Sequence, residues 1–156
     1  MHPTLPKLVE TDFPAIRRDK LDTLQVNLGY LCNLSCLHCH VNAGPKRKEL
    51  MTRATIDQLF EFIDQQGITT LDLTGGAPEM NPHFKYTVSQ AVHRGIRIID
   101  RCNLVILEEP GYEDLVGFLA SHQVQIVASL PCYSSDNVDA QRGDGCLIKA
   151  SLRYKN

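Results

Sequence analysis

Strand-like runs alternate with amphipathic helical stretches along this chain, and that alternation restricts its possible folds more than any single residue does. Residues Thr23 to Gly29 alternate apolar and polar, with Leu24, Val26 and Leu28 on one side, which predicts a strand with one face on a core. Thr52 offers an N-cap to a helix in which Ile56, Leu59, Phe60 and Ile63 recur at helical spacing, and Gly67 supplies the stop. Ile68 to Thr74, closed by Gly75-Gly76, reads as the second strand. Asn81 as N-cap and Pro82 at the first helical position open a helix that runs through Val88, Ala91 and Val92 to Gly95. Ile96 to Asn103 then reads as a third strand, Tyr112 to His122 as a third helix carrying Leu115, Val116 and Leu119, and Gln125 to Leu130 as a fourth strand. From Pro131 onward the chain has no clear periodicity and reads as loop or frayed helix.

A βα repeat of about thirty residues implies right-handed crossovers and a parallel sheet, so the class is α/β. In such sheets the working residues sit in loops beyond the carboxyl ends of the strands. The loop after the first strand carries Cys32, Cys36 and Cys39, and the loop after the second opens with Gly75-Gly76, so both motifs share one rim.

Composition narrows the function. A chain of 156 residues, 43% of them hydrophobic, can bury one core but not two ordinary ones. With 16 basic and 18 acidic residues and no run of one sign, it has no electrostatic footprint for nucleic acid or an anionic membrane. No window approaches the ~20 apolar residues of a membrane span and no leader pattern opens the chain, which predicts a cytoplasmic protein. Three of the six cysteines fall between Cys32 and Cys39, a crowding that favours metal chemistry over disulfides.

The C-x3-C-x2-C spacing lets three thiolates hold three irons of a cubane and leaves the fourth iron open to a small ligand. A Cys₃His zinc site completed by His38 or His40 is the alternative for the same residues. The two glycines let backbone approach a ligand closely, although a plain turn before a helix reads the same way. His83, His93 and His122 fall on or beside helices, away from the rim.

The cysteine loop resembles the C-x3-C-x-φ-C signature of the radical S-adenosylmethionine (SAM) superfamily, with His38 at the usually aromatic φ position. Thr74-Gly75-Gly76-Ala77-Pro78-Glu79 resembles the GGE motif of that family; Ala77 takes the glutamate's place and Glu79 lies two residues on, so what transfers is backbone contact by Gly75 and Gly76. Together with Asp100-Arg101-Cys102-Asn103-Leu104 and Ser129-Leu130-Pro131-Cys132-Tyr133, the motif order is similar to that of the arsenosugar-biosynthesis branch, from about Leu24 to Gly145.

The resemblance implies a partial (βα) barrel with about four of six βα units present, residues 1–145 forming the N-terminal part of a radical SAM core and 146–156 a divergent tail. It implies an enzyme in which Cys32, Cys36 and Cys39 hold a 4Fe-4S cluster and SAM chelates the open iron. An external electron donor then drives cleavage to methionine and a 5′-deoxyadenosyl radical. The small-molecule substrate it implies is a methylated trivalent arsenical. Asn103 and Ser129 would contact SAM, and Cys102 and Cys132 would offer soft thiols to arsenic, unless they are simply small buried hydrophobes. A non-catalytic zinc- or arsenic-binding cysteine module is the competing function.

Overall fold

The computed structural model describes residues 5–153 apart from 10, 13, 15–18, 131 and 144. Strands β1 (Thr23–Asn27), β2 (Thr70–Thr74), β3 (Arg97–Asp100) and β4 (Gln125–Ile126) form one parallel sheet in the order β1-β2-β3-β4. Val26, Leu73, Asp100 and Ile126 lie side by side across it. The helices are α1 (Leu5–Val9), α2 (Arg53–Gln66), α3 (Phe84–His93), α4 (Leu115–Ser121), α5 (Ser135–Arg142) and α6 (Cys146–Arg153). No described helix is long and apolar enough to cross a membrane.

Helix α2 begins and ends where its caps require. Thr52 Oγ accepts the Thr55 N–H at 3.2 Å, and Gly67, at φ 62°, turns its N–H back to the Ile63 carbonyl. Helix α3 starts later than the sequence pattern predicts, at Phe84, with Asn81 and Pro82 outside it. The Asn81 side chain accepts the His83 N–H at 2.8 Å but also donates to the carbonyls of Leu28 and Met51, at 2.8 and 3.0 Å. Those carbonyls flank the cysteine loop, and a carbonyl shut away from water needs a donor. The third helix likewise begins at Leu115 instead of Tyr112, whose N–H is taken by Glu109 in a turn.

Strands β3 and β4 are shorter than the expected runs to Asn103 and Leu130. Single parallel bonds continue past them, from Val127 N–H to the Asp100 carbonyl and from Ser129 N–H to that of Cys102, both 2.8 Å. In the stretch read as loop or frayed helix, the described residues form α5 and α6, and α6 packs on a 3₁₀ turn at Val105–Glu108 with Ala150 in the main core.

Alternation along the strands gives the sheet two unlike faces. Leu71, Leu73 and Ile98 pack against Ile56, Phe60, Phe84 and Val88 in one core, each fully buried side chain contributing about 1.5–3 kcal/mol. The other face carries Gln25, Asp72 and, just beyond β3, Arg101, joined by hydrogen bonds.

Candidate functional site

The glycine turn and the cysteine loop are clamped backbone to backbone. Gly76 N–H donates to the Gly29 carbonyl and Ala77 N–H to that of Leu31, both at 2.9 Å. A Cβ on Gly76 would fall inside contact distance of the Leu31 carbonyl oxygen and 3.0 Å from Cys32 Cβ. Gly75 adopts φ 137°, and a Cβ there would meet Asn27 Oδ1 at 2.9 Å. Only glycine lets the two rim segments approach this closely.

They border a cavity of about 430 Å³. Cys32, Cys36 and Cys39 line one side of it, and all three are free thiols. Leu34 N–H points at Cys32 Sγ (3.4 Å) and Ala43 N–H at Cys39 Sγ (3.3 Å), donors of the kind that stabilise thiolate sulfur. Burial pushes the Cys32 thiol up, with the Leu34 N–H pulling back; burial also raises Cys36, against the positive charge of Arg142. Three thiols bordering one cavity match in number the ligands of a cubane iron-sulfur cluster with one iron left without a cysteine. His38 and His40 also line the cavity, so the zinc alternative keeps its donors close at hand.

The glycine turn, Asn103, Ser129 and Arg142 complete the wall. Asn103 is largely committed: its Oδ1 accepts the Ile106 N–H at 3.0 Å, capping the 3₁₀ turn, and its Nδ2 donates to Asn33 in the cysteine loop at 2.8 Å. Ser129 is held from above by Arg142, whose guanidinium donates to the Ser129 carbonyl (2.6 Å) and to its Oγ (2.8 Å). Arg142 Nε is shut away from solvent and has no hydrogen-bond partner among the described residues, while the positive charge of the guanidinium acts on Cys36. Sequence reasoning missed Arg142, because it falls in the stretch without clear periodicity that reads as loop or frayed helix. A guanidinium bordering the cavity beside a hydroxyl suits the carboxylate of an amino acid.

Arg101 also borders the cavity and grips Asp72 with two nitrogens, at 2.9 and 2.8 Å; that guanidinium holds the Asp72 carboxyl below its usual range, helped by Gln25. Its chain neighbour Cys102 does not face the cavity. Continuing the alternation of β3, Cys102 points to the helix-covered side, where it is fully buried beside Glu79 and Asp100. The expected pairing of Cys102 with Cys132 over a common cavity is therefore corrected. Cys132 lies apart, partly buried against the small cluster that contains Cys32, with its thiol pulled down by the Ser134 N–H. Pro131 of the same motif lies outside the described residues. The Glu79 carboxyl also sits behind the rim, away from the cavity wall. His83 precedes α3, His93 sits in its last turn, and His122 Nδ1 lies 2.8 Å from the Phe118 carbonyl, all away from the cysteines.

Comparison with known proteins agrees with this geometry. The chain is 27% identical to the mycofactocin maturase MftC of Mycobacterium ulcerans over all of its own length and 41% of that protein. It is 27% identical to a probable GTP 3′,8-cyclase of Sulfolobus acidocaldarius over 50% of this chain and 25% of that one. The chain thus spans less than half the length of the curated relatives it matches. Among solved structures, SuiB of Streptococcus suis bound to S-adenosylmethionine superposes with a TM-score of 0.67 at 16% identity, covering 81% of this chain and 29% of that one, which shows a shared fold. Residues 26–135 match the family model of the radical SAM superfamily, so the chain belongs to that family of enzymes, whose cofactors are a 4Fe-4S cluster and SAM.

Proposed function

We propose that Cys32, Cys36 and Cys39 are the cluster ligands of a radical SAM enzyme and that the remaining cavity wall receives SAM. The carrying observation is that three free thiols and the guanidinium-bearing Arg142 line the same cavity. When bound and reduced by an external donor, the cluster supplies one-electron cleavage of SAM to methionine and a 5′-deoxyadenosyl radical. Arg142 and the Ser129 hydroxyl would receive the methionine carboxylate, while the backbone of Gly75 and Gly76 would meet its amino group. Asn103, whose Nδ2 donates to Asn33 and is also directed at Cys32 Sγ, would hold the cysteine loop at a fixed distance from that wall.

For the substrate, the motif order around Gly75, Cys102 and Cys132 supports a methylated trivalent arsenical, as in arsenosugar biosynthesis: its arsenic would take up the 5′-deoxyadenosyl group, one electron would return to the oxidised cluster and the hydroxyl proton would leave, giving a pentavalent arsenical. Cys132 is the thiol suited to hold it: its sulfur is partly accessible and drawn toward thiolate by the Ser134 N–H, and trivalent arsenic favours sulfur. The test is anaerobic incubation of the reconstituted, reduced protein with SAM and dimethylarsinous acid, followed by mass spectrometry. An adenosylated arsenical is the expected product. 5′-Deoxyadenosine without it would reject the arsenical, and arsenic or zinc bound stoichiometrically with no SAM cleavage would favour the non-catalytic module.

A further inference from the structure

Behind the cavity wall, on the helix-covered side of the sheet, two acids and a thiol converge with no cation beside them. Glu79 is 6% exposed, and Asp100 and Cys102 are not exposed at all. One donor atom from each lies within 4.8 Å of the others. All four carboxylate oxygens of Glu79 and Asp100 lack a hydrogen-bond partner among the described residues. The nearest arginine in sequence, Arg101, points to the opposite face and is taken by Asp72. Leu104 adopts φ 61°, an uncommon conformation for a side chain of its kind, and its N–H lies 3.3 Å from Cys102 Sγ.

Two buried carboxyls at this distance cannot both be charged without compensation. One proton shared between them would still leave a net negative charge in a closed apolar core, and two would neutralise it, but neither state gives the thiol a role. A divalent cation accounts for all three groups at once: two carboxylates neutralise it, and the sulfur adds a soft donor. We propose that Glu79, Asp100 and Cys102 form a buried site for a borderline divalent metal ion of the zinc class. The mixed sulfur and oxygen set selects against calcium and magnesium, which take six or more oxygen ligands. The ion would tie the turn at Pro78–Met80, which continues from Gly75-Gly76, to the segment after β3 that carries Asn103. It would thereby brace two parts of the cavity wall from behind. This site shares no ligand with the cysteine loop, so it stands or falls separately from the reading of that loop.

Cobalt(II) titration of the metal-stripped full chain carrying Cys32→Ala, Cys36→Ala and Cys39→Ala isolates the site from the cluster ligands. One equivalent should bind, with a sulfur-to-cobalt charge-transfer band that zinc abolishes by competition. Adding Cys102→Ser should remove the band and weaken binding by about 100-fold or more. A second measurement does not depend on that triple variant folding. The chain with its cysteine loop intact and its cluster reconstituted should contain one zinc besides its iron by plasma mass spectrometry, and Glu79→Gln should lose the zinc while keeping the iron. Failure of cobalt and zinc to bind, survival of the band in Cys102→Ser, or a protonated-carboxyl infrared signal that zinc leaves unchanged would each overturn the proposal.

Discussion

Arg101 and Cys102 are consecutive residues that serve two different regions. In front, two cations border the cavity and each has a partner: Arg101 holds Asp72, and Arg142 holds Ser129. Behind, the space is closed, the acids Glu79 and Asp100 have no cation, and the thiol of Cys102 is pushed far up by burial and by both carboxyls. The sheet's two-residue alternation sorts them. The front can read a charged ligand that arrives from solvent, whereas the back can only hold the wall in place.

That contrast can be broken most directly at its cysteines. Cys36→Ala should lose the cluster outright, leaving iron near background after anaerobic reconstitution, whereas Cys102→Ala should keep full iron. Equal loss in both would erase the distinction between front and back. Gly76→Ala comes next, because its methyl group would press on the Leu31 carbonyl and Cys32. Urea unfolding should show a cost of about 1–3 kcal/mol, and SAM affinity should fall with it.

The two aspartates should respond with opposite signs. Asp72→Asn should destabilise the chain at pH 7 by about 1–2 kcal/mol, since its charged partner is half-exposed. Because the folded carboxyl titrates below its unfolded value of about 3.9, this contribution is present above that pH and fades as pH falls through the folded value. Melts of both proteins between pH 7 and pH 3 should therefore converge. Asp100→Asn in the metal-stripped chain should be neutral or stabilising, because it removes an unpaired buried acid. Thr52→Ala, remote from both regions, sets the scale: a loss of about 1 kcal/mol with iron and zinc contents unchanged.

The order of strands and helices was legible because Ile56, Phe60 and Ile63, or Leu71 and Leu73, carry burial in their spacing alone. The cysteine loop was legible for a similar reason, since three thiols in one turn have few uses. What escaped was decided by tertiary contacts. Asn81 looks like a helix cap in sequence but is also claimed by the Leu28 and Met51 carbonyls, so α3 starts later. Arg142 gains its place on the cavity wall only because α5 folds back over Ser129. Cys102 was offered to the cavity or to the core, and the side it faces depends on where regular pairing ends.

The account rests most heavily on an iron without a cysteine ligand at the cavity formed by Cys32, Cys36 and Cys39. Electron paramagnetic resonance of the reduced, reconstituted chain, recorded as SAM is added, tests it directly. The spectrum should shift in a saturable way, and the shift should weaken when Arg142 is replaced by alanine. A reducible cluster whose spectrum ignores SAM, or a chain that takes up zinc at these cysteines and no cluster, would contradict it.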